Sequence, residues 1–109
     1  MADEISEDVK VKVLVTGGLG FVGSAIVRAL QEQHPQWTVC ILDRLDDPRH
    51  MRKEPQEIPN DTFDLLRGCT FEYVRADITN EMDVMKAFEQ ARPDAVVHTA
   101  GMVPSLSER

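Results

Sequence analysis

Clustered positive charge is missing from this 109-residue chain: 12 Lys and Arg are scattered among 19 Asp and Glu, for a net charge of −7. The isoelectric point is near 4.8. Gripping a nucleic-acid backbone takes grouped cations, so nucleic acid is not expected as a partner. No apolar run is long enough to cross a bilayer. Residues 1–9 form an acidic tail without the apolar centre of a signal peptide. Cysteine occurs only as Cys40 and Cys69, with no metal-ligand spacing, and reads as buried free thiol in a reducing compartment rather than as a disulfide. Repeats and low-complexity tracts are absent as well. The expectation is a single domain over residues 10–109 in a cytoplasmic protein; a longer form with an anchor beyond residue 109 would sit at the endoplasmic reticulum membrane.

Glycine is not abundant either, yet it is concentrated where it counts. Thr16-Gly17-Gly18-Leu19-Gly20-Phe21-Val22-Gly23 follows the apolar run Val11–Val15 and opens an amphipathic stretch. A strand, a glycine turn and a helix in that order build a phosphate site. Gly20 lets a pyrophosphate approach the backbone, Gly23 lets the helix pack closely, and the helix start offers free N–H groups and a positive dipole end. Asp43 lies 43 − 23 = 20 positions beyond the last glycine, the distance expected of a carboxylate that binds the adenosine ribose. Such a carboxylate repels a 2′-phosphate, which favours NAD over NADP, although Arg44 beside it offers a charge that a 2′-phosphate would welcome.

Periodicity supplies the frame. A helix is predicted after the glycines with Val22, Ala25, Ile26, Ala29 and Leu30 on its apolar stripe and Ser24, Arg28, Gln31 and Glu32 opposite, ending at His34-Pro35. Trp37–Leu42 reads as a second strand. Asp46–Asn60, with three prolines among charges, reads as a loop, and Asp61–Arg67 as a short helix with Phe63 and Leu66 inward. Thr70–Val74 is the third strand, Asn80–Ala91 a helix with Val84, Ala87, Phe88 and Ala91 on one stripe, and Asp94–His98 the fourth strand. Strands alternating with helices pair in parallel through right-handed crossovers. The predicted class is therefore α/β, the first half of a doubly wound parallel Rossmann sheet with strand order 3-2-1-4.

The run Thr16-Gly17-x-x-Gly20-x-x-Gly23, in its Gly-Gly-x-Gly-Phe setting, resembles the extended short-chain dehydrogenases/reductases from about Lys10 onward. The resemblance implies a cofactor site made of Gly17, Gly20, Phe21, Val22, Gly23, Asp43, Arg44, Asp77, Ile78, His98, Thr99 and Ala100. It assigns Asp77 to the adenine amine and Ile78 to the base. From spacing alone, an acid just before a helix serves the helix dipole equally well. His98-Thr99-Ala100 is similar to the 3β-hydroxysteroid/sterol dehydrogenase branch, which implies a sterol or steroid as small-molecule substrate. Nucleotide-sugar epimerases and dehydratases share the same glycine turn, and a non-catalytic dinucleotide-binding module is the further alternative.

The resemblance also shows what is missing. The family moves a hydroxyl proton with a Tyr-x-x-x-Lys pair, and the one tyrosine here, Tyr73, lies inside a predicted strand with Asp77 four positions on. A cofactor-binding half without its catalytic residues is the expectation, as a fragment or truncated gene model. With no strand beyond the fourth, its edge is expected to recruit a second copy of the chain.

Overall fold

The computed structural model describes residues 10–47, 49 and 64–99. The elements are β1 (Lys12–Thr16), α1 (Phe21–Gln33), β2 (Thr38–Asp43), β3 (Glu72–Arg75), α2 (Glu81–Ala91) and β4 (Ala95–His98). The four strands form one sheet in the order β3-β2-β1-β4, every pair parallel. Val13 stands opposite Val39 on one side and Ala95 on the other. The expected class and strand order are both observed.

Alternation along the strands divides the core between the two faces of the sheet. Val13, Val15, Val39 and Ile41 pack with Val27 of α1 and with Leu19, Leu66 and Phe71. Leu14, Cys40, Leu42 and Val74 point the other way and pack with Ala76 and with Ala87 and Ala91 of α2. Near-continuous apolar runs in β1 and β2 are what a parallel sheet covered on both faces requires. Cys40 is fully buried and Cys69 half-buried, both as free thiols. Burial pushes the Cys40 thiol up to about 11, Glu72 adding to the effect and Lys12 opposing it.

The rotation of α1 differs from its expected stripe. The buried residues are Gly23, Ser24 and Val27, whereas Val22 is 51% exposed and Ala25 and Ala29 face outward. Ile26 and Leu30 pack only at the margin of the core. Gly23 explains the rotation: a Cβ there would lie 2.1 Å from the Gly17 carbonyl oxygen, so this side of the helix must face the turn. Ser24 tolerates burial because its hydroxyl donates to the Phe21 carbonyl at 3.2 Å.

The second helix follows its sequence more closely. Asn80 caps it by accepting from the Asp83 amide, Glu81 and Asp83 place negative charge on its first turn, and it ends at Arg92 in the left-handed region before Pro93. Ala87 and Ala91 are buried as expected; Phe88 is 36% exposed and sits at the edge of the stripe. The third strand begins at Glu72, two residues later than expected. Residues 64–66 are helical. Asp61 to Phe63, Pro48 and most of the expected loop lie outside the described residues. Among the described residues β4 pairs with β1 alone, with Val96 exposed at this edge.

Candidate functional site

The carboxyl ends of β1, β2 and β3, where ligands bind in open parallel sheets, surround a cavity of about 490 Å³. Its wall comprises Gly17, Gly20, Phe21, Val22, Gly23, Leu42, Asp43, Arg44, Ala76, Asp77, Ile78, Thr79 and Thr99. Ten residues expected from the sequence are thus brought together: Gly17, Gly20, Phe21, Val22, Gly23, Asp43, Arg44, Asp77, Ile78 and Thr99.

The floor is the glycine turn. Gly17 takes a φ of 71°, a conformation that side chains resist. Its amide donates to the Leu42 carbonyl at 2.8 Å, tying the turn to β2. Gly18 is turned away against Ile41, so the turn follows the Gly17/Gly20/Gly23 register at the cavity. Helix α1 starts at Phe21 with Gly20 at its cap position, no side-chain cap and no acid in its first turn. Free N–H groups and the positive end of the dipole are therefore left facing the cavity, in contrast to the capped start of α2.

The two acids are held differently. Asp43, half-buried at the end of β2, accepts from the Leu19 amide at 3.1 Å through Oδ2, and from the Arg44 amide at 2.8 Å and the Leu45 amide at 3.4 Å through Oδ1. It joins the glycine turn to the segment after β2. Asp77 is exposed and accepts through Oδ1 from the Thr79 amide at 2.9 Å and hydroxyl at 2.7 Å. Those bonds, with Arg44 nearby, hold its carboxyl below the usual carboxylate range. Asp77 lies on the cavity wall, and its backbone carbonyl receives the Asn80 amide just ahead of α2.

His98 is the exposed last residue of β4. It is not on the wall; its Nδ1 pairs with Thr16 Oγ1 at 2.6 Å. Thr99 donates from its amide to Thr16 Oγ1 at 3.1 Å and from its hydroxyl to the Thr16 carbonyl at 2.6 Å, clamping the ends of β1 and β4. Ala100 lies outside the described residues. Leu42, Ala76 and Thr79 were not anticipated; each adjoins or nearly adjoins Asp43 or Asp77, and the strand-end position of those acids was the available signal.

A glycine turn under an uncapped helix start, with a carboxylate at the end of the neighbouring strand, defines a nucleotide-binding α/β half-fold. Residues 13–109 match the family described as NAD dependent epimerase/dehydratase, and the chain belongs to that family. It is 34% identical over 89 residues to a dTDP-glucose 4,6-dehydratase of Salmonella typhimurium, which covers 82% of this chain and 22% of the relative. A bifunctional UDP-glucose 4-epimerase and UDP-xylose 4-epimerase of Pisum sativum is 32% identical over 91 residues, 84% of this chain and 25% of the relative. The structure of a Thermus thermophilus UDP-glucose 4-epimerase in complex with NAD is similar with a TM-score of 0.55 and 31% identity, over 82% of this chain and 24% of that one. The ADP-L-glycero-D-manno-heptose-6-epimerase of Helicobacter pylori gives 0.60 and 28%, over 93% and 31%. The chain thus spans about a quarter of the length of these curated relatives.

Proposed function

We propose that the cavity binds NAD and that the chain is the cofactor-binding portion of a nucleotide-sugar dehydratase or epimerase. The observation that carries the first part is the pairing of Asp43 with the uncapped start of α1 across one cavity. The helix start suits a pyrophosphate, and among the described residues a Cβ on Gly20 would meet only the Gly17 oxygen at 3.3 Å, which leaves the space beyond it to a ligand. Asp43 suits the ribose hydroxyls: its three amide bonds fix the carboxylate, and two oxygens with about four lone-pair sites leave capacity for more donors. NAD supplies hydride-transfer chemistry when bound; these residues bind and orient it.

The second part is supported by the relatives, which are enzymes of dTDP-glucose, UDP-glucose and UDP-xylose. The sterol expectation rested on His98-Thr99-Ala100 and finds no counterpart among them. His98, turned onto Thr16, offers no support from geometry.

Calorimetry with NAD and NADP tests the cofactor assignment. A charge-assisted bond is worth roughly 1.5–3 kcal/mol, so Asp43→Ala is expected to weaken NAD binding by about ten- to a hundredfold and NADP binding less. Equal losses for the two cofactors would remove Asp43 from the ribose.

A further inference from the structure

Tyr73 is the one tyrosine of the chain and lies outside the cavity wall. It stands on β3 opposite Ile41, half-buried beside the core, and its hydroxyl donates to the carbonyl of Leu45. Arg75, two residues on and so on the same face of the strand, donates from Nε to the Arg44 carbonyl at 3.1 Å. The Ala76 amide donates to the Asp43 carbonyl at 2.8 Å. Three consecutive carbonyls, 43 to 45, are thus fastened to β3 and the residue that follows it.

The opposite ends of the first two of these peptides serve Asp43, and the third, whose carbonyl Tyr73 holds, continues the same turn from Leu45. The amides of Arg44 and Leu45 both donate to its Oδ1, and because a peptide unit is planar, fixing a carbonyl fixes the N–H that follows it. The Arg44 carbonyl and the Leu45 amide belong to one such unit, held by Arg75 on one side and Asp43 on the other. The Arg75 bond is exposed to competing water; the Tyr73 bond is partly buried. Burial, reinforced by the charges of Asp43, Asp47 and Asp46, pushes the phenol well above its ordinary value, so it stays a donor throughout the neutral range.

We propose that Tyr73 is a positioning residue for the cofactor: by holding the Leu45 carbonyl it fixes the turn through which the Asp43 carboxylate is presented to the adenosine ribose. This rests on the reading of the cavity as an NAD site.

Tyr73→Phe removes the hydroxyl and keeps the ring. One hydrogen bond lost from the support of Asp43 is expected to weaken NAD binding about two- to tenfold. An NAD analogue with 2′-deoxyadenosine should lose less, and Tyr73→Phe should add little to Asp43→Ala, since coupled residues are not additive. Unchanged NAD affinity, or equal losses for NAD and the analogue that add fully to Asp43→Ala, overturns the positioning role. If Asp43→Ala itself leaves NAD binding intact, the site reading fails and the proposal falls with it. Should Tyr73→Phe fold poorly, 3-fluorotyrosine labels this position alone in the unmutated chain. Its fluorine resonance is expected to shift at saturating NAD although the ring lies outside the cavity, and a resonance indifferent to NAD overturns the proposal.

Discussion

Two glycines of one turn separate folding from binding. At Gly23 an added methyl would lie 2.1 Å from the Gly17 oxygen and 2.8 Å from its carbonyl carbon, both backbone atoms that cannot move aside without lifting α1 off the turn. At Gly20 the neighbour among the described residues is the Gly17 oxygen at 3.3 Å, which a small shift accommodates. Gly23→Ala is therefore expected to cost about 1–3 kcal/mol as overpacking, seen as a lowered melting midpoint, and to reduce NAD affinity. Gly20→Ala should melt near the parent and still bind NAD poorly. Thermal melts by circular dichroism beside calorimetry check the pair; a Gly23→Ala protein as stable as the parent would refute the close contact. The positions of both glycines were legible in the sequence because spacing alone marks them. The partner of Gly23 was not: it packs on the turn itself rather than on the strand, a contact between residues whose backbone path no propensity encodes. Thr79 and Ala76 were missed for a related reason, since they reach the cavity through the course of the chain after β3 rather than through any chemistry of their own.

At the level of elements, the four strands, both helices and the strand order were readable from apolar runs, proline stops and the alternation of periods. The facing of α1 was not, because an apolar stripe predicts rotation only where side chains decide it; here a backbone contact at Gly23 decides it and carries Ser24 into the interior. The facing of α2, free of such a contact, follows its alanines. Its start is fixed by Asn80, whose Oδ1 accepts from the Asp83 amide at 3.1 Å. Asn80→Ala is expected to cost about 1 kcal/mol. The loss should appear as an earlier urea midpoint with an unchanged slope. Because Asp77 and Thr79 hold the preceding turn by their own bonds, NAD affinity should change far less than stability. A midpoint equal to that of the parent would mean that the acids of the first turn already satisfy the helix start without the cap.

At the scale of the whole molecule the sheet shapes a cofactor cavity, and the sequence holds no Tyr-x-x-x-Lys pair. The family resembled uses Tyr-x-x-x-Lys, and Tyr73 can play no such part: it is half-buried on β3, its hydroxyl is committed to the Leu45 carbonyl, and Asp77 stands four positions later. Burial and three nearby carboxylates hold the phenol in its protonated form, the reverse of what a proton acceptor needs. The Nδ1 of His98 is taken up by Thr16 Oγ1. General acid–base help is worth roughly a hundred- to ten-thousandfold, and substrate positioning can contribute about 7–11 kcal/mol. Losing both leaves nothing measurable. The 109-residue chain, saturated with NAD, is therefore expected to leave dTDP-glucose and UDP-glucose unchanged, as followed by proton NMR of the sugar signals over hours. Conversion by the 109-residue chain that disappears in Asp43→Ala would mean that catalytic groups lie within these residues after all. Oxidation of a 3β-hydroxysteroid by the chain would restore the sterol reading of His98-Thr99-Ala100.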